Sequence, residues 1–256
     1  MRYGCSLAAV VGGAFGLLAL IPSPSAQAQN LLTNGNLDRV HDEEIVPGFF
    51  LPKPDSWVNV GVRSITGPYG DEMSSEPWAG PAPTPVTSDG LSNPPPYNSS
   101  PDWGVFFKPF SGNPTTNGLA TGHLMQAVLG TPGATYTLTG WAGAEPNAMM
   151  RDAEFAIEFL DSSSNLLGAS ILSLMPTLFV DNGQPFDYKQ YTVTGVAPAG
   201  TMFVRVRVSM LDAQANPAGG GQAFVVDDFV LVPEPASLGL LALAAVPMLA
   251  RRNRRS

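Results

Sequence analysis

Val204-Arg205-Val206-Arg207-Val208-Ser209 sets three valines on one side of an extended chain and two arginines and a serine on the other. Successive side chains of a strand point to opposite faces, so this period of two describes an antiparallel strand with one face buried. The pattern recurs outward from this stretch. Phe155, Ile157 and Phe159 alternate with Glu154, Ala156 and Glu158. Leu124, Gln126 and Val128 share one face of residues 122–129, and Thr135 to Trp141 is rich in β-branched and aromatic side chains. Turn signals separate the runs at Thr131-Pro132-Gly133 and at Ala197-Pro198-Ala199-Gly200. Their spacing predicts an all-β fold, an antiparallel sandwich. Leu166 to Phe179 admits two readings, a short helix or a strand broken at Pro176. Residues 77–101 carry eight prolines and cannot sustain a sheet ladder, so a long extended loop is expected there. It is either an unconstrained insertion or a loop folded over a binding face.

Both ends differ from this body. Arg2 precedes an apolar stretch from Leu7 to Ile21, and Ala26-Gln27-Ala28 follows it. Small residues at Ala26 and Ala28 fit a signal peptidase, so residues 1–28 read as a signal peptide cleaved after Ala28; the alternative is an uncleaved anchor. The only cysteine, Cys5, falls inside this segment, which leaves the mature chain without disulfide or thiolate chemistry. Residues 29–232 contain 20 acidic and 8 basic side chains. So acidic a body argues against nucleic acid or anionic lipid as its partner.

At the other end, Val232-Pro233-Glu234-Pro235 is followed by an apolar run to Ala250 and then by Arg251, Arg252, Arg254 and Arg255. The run is short for a spanning helix but could cross a thin bilayer, with the arginines on the cytoplasmic side; the alternative is an amphipathic or core helix. The order Pro-Glu-Pro, apolar helix, basic cluster closely resembles the PEP-CTERM tails of Gram-negative bacteria that make extracellular polysaccharide. That resemblance implies an exosortase-type membrane protease or transpeptidase as partner, with Pro233, Glu234, Pro235 and the four arginines as sorting residues. It implies a route, an inner-membrane-anchored precursor delivered to the cell surface or matrix, and no particular activity.

The body carries a second resemblance. Asn30-Leu31-Leu32-Thr33-Asn34-Gly35-Asn36-Leu37-Asp38 looks like the opening strand of jelly-roll carbohydrate-binding modules of the galactose-binding-like type. His123 to Gln126, Gly133 to Leu138, Tyr191 to Thr194, Ala197 to Thr201 and the closing Phe224 to Leu231 follow in that family's order. The expected organisation is a signal helix (1–28), a jelly-roll sandwich (29–232) with a proline-rich insertion, and a sorting tail with an apolar helix (233–256).

In folds of that kind the terminal strands often share a structural calcium ion. Asp38 with Asp227 or Asp228 could supply oxygens, although adjacent strand residues face opposite sides and only one would reach a given ion. The alternative is that these carboxylates are satisfied by backbone amides. Two distant histidines and no mature cysteine give no zinc site. For sugar stacking, Trp57 and Trp78 lie in polar, proline-containing surroundings and are the expected surface platforms, whereas Trp141 and Tyr136 read as core. No Gly-x-Ser-x-Gly elbow, His-Glu-x-x-His pair or phosphate loop is present. Glu154 and Glu158 fall roughly 13 Å apart on one strand face, too wide for a glycosidase pair, and read as a solvated face. The function expected is therefore a non-catalytic surface or matrix protein associated with exopolysaccharide. The alternatives are a structural or adhesive exoprotein without a sugar ligand, and a secreted hydrolase or lyase.

Overall fold

Alternation becomes two sheets. The computed structural model describes residues 29–63, 73–77, 103–109, 112–116 and 118–234. Its strands are β1 (Val40–Val46), β2 (Phe49–Pro54), β3 (Val58–Arg63), β4 (Met73–Pro77), β5 (Trp103–Phe107), β6 (Ala120–Leu129), β7 (Thr135–Ala144), β8 (Asp152–Leu160), β9 (Leu166–Ser173), β10 (Lys189–Val196), β11 (Phe203–Ala213) and β12 (Phe224–Pro233). One five-stranded sheet runs β10-β7-β12-β5-β4 and the other β3-β6-β11-β8-β9, while β1 and β2 form a separate hairpin. All pairings are antiparallel.

The sheets face each other across an aromatic and aliphatic core. Phe155 of β8 meets Phe229 of β12 with ring centroids 5.2 Å apart and Tyr191 of β10 at 5.9 Å. Val204, Val206 and Val208 are fully buried in this core, as their alternation requires. Burial of such a face is the main stabilising term of the fold. Gly140 is needed where it stands, because a Cβ there would collide with the Phe229 ring.

Several expectations change. Residues 30–38 are not a strand. They form a tight turn, with Asn34 and Leu37 at positive φ. It is tied to β12 by one side chain and by the backbone: Asn30 Oδ1 accepts from the Leu231 amide at 2.9 Å, Asn30 Nδ2 donates to the Phe229 carbonyl at 3.0 Å, and the Leu31 amide donates to the Leu231 carbonyl at 2.9 Å. Asn34 bonds locally, its Oδ1 accepting from the Arg39 amide at 3.0 Å and its Nδ2 donating to the Arg39 carbonyl at 2.9 Å, and such side-chain bonding to nearby backbone is why a strand-like sequence turns here.

The stretch 166–179 takes both of its readings in succession. β9 ends at Ser173, and a single helical turn, α1 (Met175–Leu178), follows with Pro176 in its first turn, where no amide donor is required. Pro77, the first residue of the expected proline-rich loop, closes β4 opposite Trp103, and the rest of that loop, 78–101, lies outside the described residues. The body also ends later. Pro233 pairs with Tyr136 at the end of β12, and the Glu234 amide donates to the Thr135 carbonyl at 2.8 Å. The expected signal helix with Ala26 and Ala28, the apolar helix, Pro235 and Arg251, Arg252, Arg254 and Arg255 lie outside the described residues.

Candidate binding site

Trp57 is not a surface platform. It is 6% exposed, its indole N–H donates to the Asn34 carbonyl at 2.9 Å, and its ring lies 5.5 Å from that of Phe229. The turn at 30–38 reverses the chain over it, which its local polar sequence does not reveal. Trp78 lies outside the described residues.

The three carboxylates expected near one ion are engaged with the protein. Asp38 Oδ1 accepts from the Trp103 amide at 3.0 Å and Oδ2 from Asn36 Nδ2 at 2.6 Å. Asp227 Oδ1 accepts from the Asp228 amide at 2.7 Å, which the bulge between Asp227 and Val230 and the positive φ of Asp228 permit. Among the described residues no three His, Cys, Asp or Glu side chains gather as a metal group.

The outer face of the β3-to-β9 sheet is not a solvated stripe. Its registers place Val60, His123, Ser209, Glu154 and Ser173 in one row across the strands, and Val58, Met125, Arg207, Ala156 and Ile171 in the next. Arg207 Nε donates to Glu158 Oε1 at 2.7 Å and its Nη1 to Glu154 Oε2 at 3.0 Å. Arg205 Nε donates to Glu158 Oε2 at 2.6 Å. Arg207 also bonds the Ser209 hydroxyl, which meets His123 Nδ1 at 2.7 Å. Burial, and next the Arg207 charge, lower the His123 pKa from its ordinary value of 6.5. Both Glu158 oxygens are thus taken by guanidinium donors, and this pair forms a structural array rather than an acid and a base across a cleft.

A concave feature lies at one end of the sandwich. A cleft of about 460 Å³ is lined by Leu119, Met149, Met150, Met175 and Phe179 on its apolar side and by Arg151, Asp212 and Gln214 on its polar side. Its parts come from distant segments that the backbone ties together. The Arg151 amide donates to the Leu211 carbonyl at 2.9 Å, and the Gln214 amide to the Met149 carbonyl at 3.1 Å. Asp212 sits at positive φ inside the register shift between Met210 and Ala213, with its amide held by Thr121 Oγ1 at 3.0 Å. Such a bulge re-aims a side chain, here toward Arg151, whose Nε lies 2.6 Å from Asp212 Oδ2. Met175 opens α1 and Phe179 follows its last residue, four positions on and so on the same side of the turn. Phe179 is 40% exposed. None of these residues stood out in the sequence, because four separate segments build the cleft.

No protein-family model matches the chain, and no curated protein matches it. Solved structures resemble it distantly. The enzymatically active domain of tailspike protein 4 of bacteriophage CBA120 is 12% identical with a TM-score of 0.45; the match covers 80% of this chain and 21% of that one. A family 61 carbohydrate-binding module, TmCBM61, solved with β-1,4-galactotriose, is 16% identical at a TM-score of 0.41, covering 80% and 99%. The family 11 carbohydrate-binding module of the Clostridium thermocellum cellulase Lic26A-Cel5E is 10% identical at 0.38, covering 82% and 96%. At these TM-scores the likeness carries no argument about ligand or activity.

Proposed function

We propose that this chain is an exported, non-catalytic surface or matrix protein whose jelly-roll-type sandwich binds a neutral polysaccharide in the cleft at the Asp212 end. The observation that carries the reading is the joining of an exposed aromatic ring, Phe179, with the Arg151–Asp212 pair in one concavity. A sugar ring offers an apolar C–H face and a rim of hydroxyls. Phe179 with the methionines suits the first, and a carboxylate acceptor beside a guanidinium donor suits the second. Export, an exosortase-type partner and a membrane-anchored precursor rest on the sequence of the two ends. The acidic body favours a neutral polymer over an anionic one.

The test is calorimetric titration of residues 29–234 with oligosaccharides from the producing cell's own exopolysaccharide. Saturable binding that Phe179→Ala and Asp212→Asn each weaken at least tenfold supports the reading. Binding unaffected by both variants removes the cleft from it. Folded protein that releases no heat with any fraction favours a structural or adhesive role, and release of reducing or unsaturated ends would show an enzyme.

A further inference from the structure

The end of the sandwich opposite the cleft carries large apolar side chains in water. Leu129 is 74% exposed, Val196 62%, Leu166 57%, Met202 46% and Leu167 39%. Single exposed apolar residues are ordinary, whereas a group on linked strand ends marks an interaction surface. These are linked. The Gly130 amide donates to the Met202 carbonyl at 2.9 Å, and the Met202 amide to the Leu160 carbonyl at 2.8 Å. Leu160 pairs with Leu166, and Leu167 lies against Gly200. Across the sandwich, Val196 pairs with Thr135, and the Gly133 amide donates to the Ala197 carbonyl at 2.8 Å.

The chain enters and leaves the sandwich at this same end. Glu234 is bonded to Thr135, the partner of Val196. Asn30 is fixed at Leu231, three residues before Glu234. The apolar run of the tail begins at Leu238, four residues past Glu234, a reach of about 14 Å at full extension. A tail inserted in a bilayer would therefore hold this end within a few residues of the lipid. Charge narrows the choice of surface. Residues 129–136, 160–168 and 196–202 contain no lysine or arginine and one acid, Asp161, to which Glu234 at the end of β12 adds a second. Nothing there attracts anionic headgroups, and the apolar side chains suit an uncharged interface.

We propose that this end is a membrane-docking surface, with Leu129, Leu166, Leu167, Val196 and Met202 entering the interfacial layer of an uncharged bilayer. Docking rests on the reading of the tail as a bilayer segment. It orients the cleft away from the membrane, toward the polymer outside.

The test uses the full chain carrying Cys5→Ser, with single cysteines introduced by Leu129→Cys, Leu167→Cys and, as a control near the cleft end, Ala218→Cys. Each is labelled with an environment-sensitive fluorophore and reconstituted into phosphatidylcholine vesicles with and without brominated acyl chains. The expected result is a blue shift and at least twofold quenching at 129 and 167, unchanged in 0.5 M salt, and neither at 218. Protein that floats with the vesicles but shows no quenching at 129 and 167 overturns docking and leaves the tail reading standing. Protein that fails to float overturns the tail reading and docking with it. Quenching abolished by salt overturns the uncharged interface. A blue shift that follows protein density and not brominated lipid assigns the surface to a second copy of the chain and overturns the proposal.

Discussion

Arg207 holds both Glu158 and Glu154: its Nε donates to Glu158 Oε1 at 2.7 Å while its Nη1 reaches Glu154 Oε2 at 3.0 Å. The side chains of Arg207 and Glu158 are only 13% and 8% exposed, so this pair sits where losing a partner leaves a charge poorly solvated. Glu158→Ala should therefore lower unfolding free energy by about 3 kcal/mol in urea titration. Replacing Glu158 and Arg207 together with Leu and Met should cost much less than the two single losses combined. Additive losses would show that the pair is uncoupled.

His123 gives the array a pH dependence. Burial and the Arg207 charge lower its pKa in the folded state below 6.5. The unfolded chain then binds more protons near that pH, so stability is full above it and falls as pH drops from 6.5 toward the folded value. Urea midpoints between pH 7.5 and pH 5 should fall less for His123→Gln than for the natural chain. Equal slopes would mean that His123 titrates alike in both states.

Trp57 is a core residue, and its variants should be read in stability. Trp57→Ala should cost about 3–5 kcal/mol through lost burial and the cavity left behind. Trp57→Phe should cost about 1–2 kcal/mol, because it strands the buried Asn34 carbonyl that the indole N–H satisfies. A Trp57→Ala protein as stable as the parent, by urea titration, would contradict the burial described for the ring.

Calcium removal should leave the protein unchanged. Asp38 already accepts from Trp103 and Asn36, and it shares no three-ligand group with other acids among the described residues. Melting temperatures in excess calcium and in excess chelator should agree within a degree. A stabilisation that grows with calcium concentration would reveal a site that binds the folded state.

The sandwich was legible where local pattern and burial coincide. Val204, Val206 and Val208 announce their face because a strand's periodicity depends on nothing outside it. The 30–38 turn was not, since its Asn30 bonds to Phe229 and Leu231, some two hundred residues away. Trp57 was misplaced for the same reason: its burial comes from that turn and from Phe229. Glu154 and Glu158 showed their polar face but not the arginines of β11 lying across it. The cleft had no local signal at all, because Arg151, Phe179 and Asp212 meet only once β8, β9 and β11 have paired and α1 has turned back.

The strand order has a consequence for how the protein is made. In the sheet β10-β7-β12-β5-β4, the early strands β4 and β5 join β7 only through β12, and the 30–35 turn is tied to β12 as well. A growing chain that stops short of residue 224 holds two half-sheets with an open seam and an untethered beginning. Ribosomal synthesis therefore delivers the closing piece last, and the apolar flanks of β5 and β7 wait uncovered until it arrives. Such long-range closure is intrinsically slow and exposes the chain to aggregation. Anything that handles the nascent protein must keep it unaggregated for nearly its whole length, and truncations that remove 224–233 should yield insoluble material rather than a smaller domain.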